Sequence, residues 1–345
     1  MLRLSLLALL GLAILAGCAS DPTAPVATPD VITFVARHPV TRISTVYRMN
    51  ADGSELRALG PIGTPTAPRI AVTMEGRYVF FSGKNGSDLP LMRFDVGANT
   101  VTPLGTVTAA FPTPSPDGTR MVFFEVMSGG YALVLVNADG SGRTVLADAS
   151  TPGLSLRVTA PPAWSPSSDR IVVCGVDTAV GSQDRTVPFV VSVTDRTVTR
   201  VPTPTSVSAA NWVSPTTLIY LVQQGSGARI RTFDVTAGTE SDLGIDIPSV
   251  SSPFLSVSPD RSAVVCANPL TIVDLTTKQT TLIGSVDAVL HDAMWSRNSA
   301  SFAYADRPAA GTSGDRLVHR SRRGEVLPLP GVDSLGISSS VVFIR

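Results

Sequence analysis

The sequence is poor in charge, histidine and cysteine, and each shortage removes a class of function. Charged side chains make up 16% of the 345 residues, 27 basic against 27 acidic. A chain so balanced lacks the basic surplus that draws proteins to nucleic acid, so no nucleic-acid partner is expected. The three histidines, His38, His291 and His319, do not fall at metal-ligand spacing, and the two cysteines after residue 18 are too few for a structural zinc site. No metal and no cofactor are expected. A Gly-x-Ser-x-Gly nucleophile elbow is also missing, and a channel enzyme would need histidine, arginine or paired carboxylates that these scattered residues do not mark. We therefore read the chain as a non-enzyme.

Long hydrophobic runs are missing too, with one exception at the start. After Arg3 comes the charge-free apolar run Leu4–Ala16, 13 residues long. As a helix it spans roughly 20 Å, short of the ~30 Å hydrocarbon core of a bilayer. A signal-peptide core fits better than a transmembrane helix. The run ends in Leu15-Ala16-Gly17-Cys18, which resembles the lipobox of bacterial lipoproteins. That resemblance implies cleavage after residue 17 and a lipid on Cys18, and so a membrane partner through the N-terminal lipid. Ala19 stands where an inner-membrane-retained lipoprotein often has Asp. In a Gram-negative source the resemblance thus points to the outer membrane, facing the periplasm. Residues 19–30 carry three prolines and no aromatic residue, the composition of an extended tether. The chain divides into a signal peptide (1–17), a lipidated cysteine and tether (18–30), and one folded domain (31–345).

Proline and glycine are abundant, 27 and 28 residues, as many short strands with many turns require. A motif recurs among them: Ser-Pro, a turn, then four or five apolar residues. Clear copies start at Ser115, Ser165, Ser214 and Ser258, and degraded ones at Thr73 and Ser296. Successive anchors are 42, 50, 49, 44 and 38 residues apart, the ~40–50 residue period of propeller blades. A second unit, Asn-Ala-Asp-Gly-Ser, occurs at 50–54 and again at 137–141, where Asp-Gly supplies a hairpin turn. Each repeat then reads as an inner strand ending at the anchor, a buried strand and an outer hairpin. The outer hairpin also precedes the first anchor, while Ser338–Arg345 is a strand left over at the other end. The expectation is an all-β, seven-bladed propeller with four strands per blade, closed by the C-terminal strand; six blades is the alternative.

The Ser-Pro-Asp-Gly turn and the Asn-Ala-Asp-Gly-Ser hairpin together resemble the WD40-like repeats of the TolB family, over residues 31–345. The resemblance implies a propeller. It carries no partner across, because a tether stands here where TolB has an α/β domain, and propellers host many activities.

Other features carry bland expectations. Trp164, Trp212 and Trp295 sit at the anchors and should pack between blades rather than form a stacking platform. Asp52 and Asp139 should serve turns, not calcium. Cys174 and Cys266, each closing a β-branched run, should be buried thiols rather than a disulfide. Arg316, Arg320, Arg322 and Arg323 are expected on a solvated edge strand. Three long connections stand out: Ser82–Pro90, Asp177–Pro188 and Asp306–Asp315. They occupy equivalent places in their repeats and so should share one face, offering Lys84, Asn85, Asp88, Gln183, Asp184, Arg185 and Arg307 as contacts. The resulting reading is a monomeric, membrane-anchored, non-catalytic scaffold that docks a protein or envelope component. The alternatives are carbohydrate or small-ligand binding in the channel, or a channel lyase or hydrolase.

Overall fold

A computed structural model describes residues 30–344, except 39, 42, 64, 74–75, 84–89, 106–107, 159, 180–184, 204, 248–253, 267–269, 284–292, 307–315 and 333–334. The described residues form strands and turns and no helix. Blade 1 holds β1 (Val31–Arg37), β2 (Ser44–Asn50) and β3 (Arg57–Gly63). Blade 2 is β4 (Pro65–Val72), β5 (Tyr78–Gly83), β6 (Leu91–Asp95) and β7 (Thr100–Pro103). Blade 3 is β8 (Ala109–Pro114), β9 (Arg120–Met127), β10 (Gly130–Asn137) and β11 (Thr144–Ala147). Blade 4 is β12 (Leu154–Leu156), β13 (Ala163–Trp164), β14 (Arg170–Asp177), β15 (Thr186–Ser192) and β16 (Val198–Arg200). Blade 5 is β17 (Val207–Trp212), β18 (Thr217–Gln224), β19 (Gly227–Asp234) and β20 (Thr239–Ile247). Blade 6 is β21 (Leu255–Val257), β22 (Ala263–Cys266), β23 (Thr271–Asp274) and β24 (Thr280–Leu282). Blade 7 is β25 (Met294–Trp295), β26 (Ser301–Asp306), β27 (Arg316–Ser321) and β28 (Val326–Leu327), and β29 (Gly336–Ile344) follows.

Each sheet is an antiparallel meander, and β29 pairs with β1 to make the order β29-β1-β2-β3. In blade 4 the inner edge of β14 is shared by two short strands, β12 opposite residues 175–177 and β13 opposite 171–172. Pro161 and Pro162 lie between them, and two missing N–H donors interrupt a single inner strand.

Burial explains the sequence pattern of each strand. The second strand of a blade is covered on both faces by its neighbours, so β9 is buried from Met121 to Glu125 and β14 from Ile171 to Asp177. Strands covered on both faces read as continuous apolar runs instead of alternating ones. The fourth strands are more open: β7 and β24 are exposed throughout, while β11 buries Leu146 and Ala147. Seven buried clusters lie between successive blades. Val35 and Val46 meet Val72 and Phe81, and so on around the ring, until Ala303 and Leu317 of blade 7 pack on Phe34 and Tyr47 of blade 1. The blades therefore form a closed ring of seven.

The anchor serine owes its recurrence to one hydrogen bond. In all six copies its hydroxyl accepts the N–H that opens the buried strand: Thr73 from Tyr78, Ser115 from Arg120, Ser165 from Arg170, Ser214 from Thr217, Ser258 from Ala263 and Ser296 from Ser301, at 2.8–3.1 Å. The degraded copies keep this bond even though they have lost Ser-Pro-Asp-Gly. In every copy but that of Ser214, the residue three after the anchor takes a left-handed turn: glycine at 76 and 118, and Ser168, Arg261 and Ser299, with φ near 60°, in the others. Ser168 and Ser299 use that position to reach the preceding blade's turn, accepting the N–H of Asp117 and Asp260 at 3.1 and 2.9 Å.

The two Asn-Ala-Asp-Gly-Ser turns are built alike. Asn50 and Asn137 bond the hydroxyls of Ser54 and Ser141, and Asp52 and Asp139 accept the same serines' N–H groups at 2.8 and 2.9 Å. Gly53 and Gly140 have φ of 83° and 88°, and a Cβ there would stand 2.3 Å from Pro330 and 2.5 Å from Leu104. Only glycine fits both the conformation and the contact with the preceding blade.

Candidate functional site

Three places on such a ring can carry function: the channel, the face that carries the anchor turns and the opposite face. The channel holds a cavity of about 310 Å³ bounded by the inner strands of blades 2 to 7. Its walls are Ile70, Phe111, Leu255, Met294, five prolines and several alanines, with Thr113, Asn211 and Ser256 as the polar side chains besides the Trp164 indole. No acid, histidine, lysine or arginine is among the described lining residues. The Asn211 amide donates to the Leu255 carbonyl at 3.0 Å, and its oxygen accepts the Trp212 N–H at 2.8 Å.

The tryptophans belong to the ring's construction. Trp164 donates its indole N–H to the Thr113 carbonyl, Trp212 to Ala163 and Trp295 to Ser256, each on the inner strand of the preceding blade, at 3.0–3.2 Å. All three are buried, as the inter-blade reading expects. Cys174 and Cys266 are free, buried thiols on blades 4 and 6, where burial pushes both up to about 12.

The turn face carries a ring of aspartates. At Asp117, burial favours the neutral acid. Hydrogen bonds from Ser115 and from the N–H and hydroxyl of Thr119, with Arg120 nearby, outweigh it and bring the carboxyl down to about 2. Asp260 is likewise desolvated, yet Ser258, Ser262 and Arg322 hold it well below the usual range. Asp52 and Asp139 are lowered by their serines. The described carboxylates of this face are thus consumed by turns, in line with the turn reading.

The expectation of a solvated edge for the last basic cluster is corrected in part: Arg316 and Arg323 are exposed, but the strand is not an edge and Arg320 and Arg322 are engaged. β27 is the third of four strands, so it is not an edge. Arg320 donates to the Tyr304 hydroxyl and the Gly324 carbonyl at 2.9 and 2.6 Å. Arg322 forks between Asp260 and Asp274 of blade 6 at 2.9 and 3.1 Å. Spacing along the sequence could not foresee that Arg320 is held within blade 7 while Arg322 fastens blade 7 to blade 6. Beside them His319 is buried, its Nε2 2.8 Å from the Ser301 hydroxyl, and burial lowers its basicity.

On the opposite face lie the connections between second and third strands, which in an antiparallel meander emerge at the other end of the sheet. The three long connections all hold this place, between β5 and β6, β14 and β15, and β26 and β27. Lys84, Asn85, Asp88, Gln183, Asp184 and Arg307 lie outside the described residues, as does Cys18. Arg185 is half-buried, and its carbonyl accepts the Asp177 N–H at 3.2 Å. Asp177, at the start of its connection, is buried and paired with Arg200 at 2.5 Å. The sequence reading overlooked the apolar residues of this face. Val40 (83% exposed) and Ile43 lie between β1 and β2, and Val126, Met127 and Tyr131 frame the hairpin between β9 and β10. The run Met127-Ser-Gly-Gly-Tyr131, large residues flanking a Gly-Gly turn, was the available signal. The other exposed large hydrophobics, Val101, Leu282 and Val326, sit on outermost strands.

The class that this geometry defines is a seven-bladed β-propeller with four-stranded blades and a TolB-like fold. No protein-family model and no curated protein matches the chain. Among solved structures it is similar to TolB from Acinetobacter baumannii, at 14% identity and a TM-score of 0.55 over 91% of this chain and 66% of that one. It is also similar to an oligogalacturonate lyase in complex with manganese (13%, TM-score 0.61, 81% and 82% covered) and to a puromycin-hydrolyzing peptidase of Mycobacterium tuberculosis (18%, TM-score 0.59, 88% and 53% covered). The chain thus spans just under two thirds of TolB and about half of the peptidase. Neighbours that include TolB, a lyase and peptidases share the fold without sharing a function.

Proposed function

We propose that this protein is a membrane-tethered, non-catalytic binding scaffold of the bacterial cell envelope, lipidated on Cys18 and docking a protein or envelope component on the loop face. The observation that carries the proposal is the placement of exposed apolar side chains. Five of the eight large ones among the described residues, Val40, Ile43, Val126, Met127 and Tyr131, lie in the connections between second and third strands or on the strand ends that flank them. Apolar surface concentrated on one face marks interaction sites on soluble domains. The polar residues Lys84, Asn85, Asp88, Gln183, Asp184, Arg185 and Arg307 belong by sequence to connections of the same face and would form its rim. Asp30 supports the orientation: its carbonyl accepts the Ala51 N–H on the turn face, so the chain enters the ring there. A tether of 12 residues reaches at most about 40 Å. Lipid on Cys18 then turns the tight-turn face toward the membrane and presents the loop face to the periplasm, from the outer membrane of a Gram-negative cell. The scaffold acts as a monomer, its ring closed by the C-terminal strand.

The test joins two variants. Cys18→Ser should release the protein from the membrane fraction or leave it unprocessed; unchanged retention at mature size contradicts the anchor. Affinity purification from detergent-solubilised membranes should recover a stoichiometric partner that is lost with Val126→Ser, Met127→Ser and Tyr131→Ser combined. Recovery that ignores those substitutions contradicts the docking face. A second reading, binding of a small ligand in the channel, is favoured by the cavity there.

A further inference from the structure

The inner strand of blade 3 departs from its pairing in one place. Ala110 lies opposite Phe124 and Thr113 opposite Val122, so three steps along β8 match two along β9. The extra residue falls at Phe111-Pro112, and Phe111 takes a φ of 57°. A bulky L-residue rarely occupies that region, and the proline after it narrows the choice further. Bulges recur beside functional sites, where they re-aim a side chain, and strained backbone persists where its surroundings hold it for use. Here the bulge places Phe111 on the wall of the channel cavity, with its ring edge-on to Phe124 at 6.3 Å.

The rest of the wall fixes the chemistry of an occupant. Pro112, Pro114, Pro161 and Pro162 line it, and none of them has an N–H to offer. The carbonyls of Thr113, Leu255 and Ser256 already accept bonds from Trp164, Asn211 and Trp295. A charged ligand would find no counter-charge among the described lining residues, and a sugar would find few polar side chains there to replace its water hydrogen bonds. A volume of about 310 Å³ lies within the range of small-molecule pockets. Water against such walls is poorly held, so an apolar group that displaces it gains affinity.

We propose that the channel is a binding site for a neutral, largely apolar small molecule, a compact ring system seated against Phe111 and Met294. This site is independent of the docking face, and either can fail alone.

The probe is N-phenyl-1-naphthylamine, a neutral ring system that fluoresces in apolar surroundings. It is titrated into the full chain carrying Cys18→Ser, so that neither attached lipid nor detergent competes. Saturable binding at one site per chain is expected. Its anionic relative 1-anilinonaphthalene-8-sulfonate, which adds a sulfonate to the same rings, should bind at least about tenfold more weakly, a difference of about 1.4 kcal/mol. Met294→Glu and Phe111→Gly should each weaken the neutral probe by a similar factor, with the melting transition retained, while Met294→Leu should keep it. The triple serine substitution on the loop face should leave probe binding unchanged. Absence of saturable binding overturns the proposal, as does equal affinity for the sulfonate. Loss of binding in the loop-face variant overturns it too, by moving the site to the exposed patch. If the channel variants do not fold, the ratio of the two probes on the unsubstituted channel still decides.

Discussion

On one face of this ring the described connections are tight turns whose hydroxyls, carboxylates and N–H groups bond one another. On the other, connections differ in length from blade to blade, down to the two residues between β9 and β10, and large apolar side chains stand in solvent. The turn face is held by recurring local chemistry: an anchor hydroxyl in six blades, an aspartate beside it in three of them, and a left-handed residue three positions on in five. Among the described residues of the loop face, no side-chain bond recurs in this way from blade to blade. A surface whose polar atoms are already paired has little to offer a partner, whereas one with unpaired apolar area can gain by being covered. Stability is therefore concentrated at one end of each blade, and freedom to vary at the other.

Substitutions can break this contrast, beginning with the largest effect. Gly53→Val forces a β-branched side chain into a φ of 83° with its Cβ 2.3 Å from Pro330. We expect about 3 kcal/mol of destabilisation in denaturant unfolding, from strain and overpacking together. Ser258→Ala removes the buried hydroxyl that accepts the Ala263 N–H, and the orphaned donor should cost about 2 kcal/mol by the same measurement. A loss below a few tenths would mean that the anchor bond is incidental.

Asp117→Asn should cost about 1 kcal/mol at pH 7, a figure reduced for the solvent exposure of its carboxylate. The folded carboxyl titrates below its unfolded value of about 3.9, so its contribution is present above that pH and disappears as pH falls through about 2. The difference between the variant and the unsubstituted protein should vanish over that window. His319 acts with the same sign at higher pH: burial keeps it neutral in the fold, so overall stability should begin to fall below about pH 6.5. The smallest effect belongs to the other face. Tyr131→Ser should change stability by no more than about 0.5 kcal/mol, the usual range for surface positions. A loss comparable to Ser258→Ala would show that the loop face is structural as well.

Much of the turn face was legible in the sequence, because one hydrogen bond demands a hydroxyl at the same place in each repeat. That demand survives at Thr73 and Ser296, where the rest of the motif has decayed, and it is why counting anchors and the extra hairpin led to seven blades. The split inner edge of blade 4 was not legible, since Leu154–Leu156 precedes Pro161-Pro162 and reads as a linker. The channel was hidden for a related reason. Each blade gives it only a few residues, many of them alanine or proline, and their meaning emerges only when strands 40–50 residues apart come together. Arg322 was misread because its partners, Asp260 and Asp274, belong to the preceding repeat. The apolar loop face was missed because exposure, not residue type, sets Met127 and Tyr131 apart from the buried strand residues next to them.

The pairing of β1 with β29 has a consequence in time. Val31 lies opposite Ile344, so β1 waits for β29, six blades further along the chain, before its own sheet is complete. Loop closure across such a distance is costly, and contacts this remote in sequence form slowly. Until they form, β1 has an open edge able to accept a strand from another chain. While blades 2 to 7 assemble, that edge stays exposed. Premature pairing of β1 is then the hazard of folding, and the speed with which β29 docks sets how long that hazard lasts.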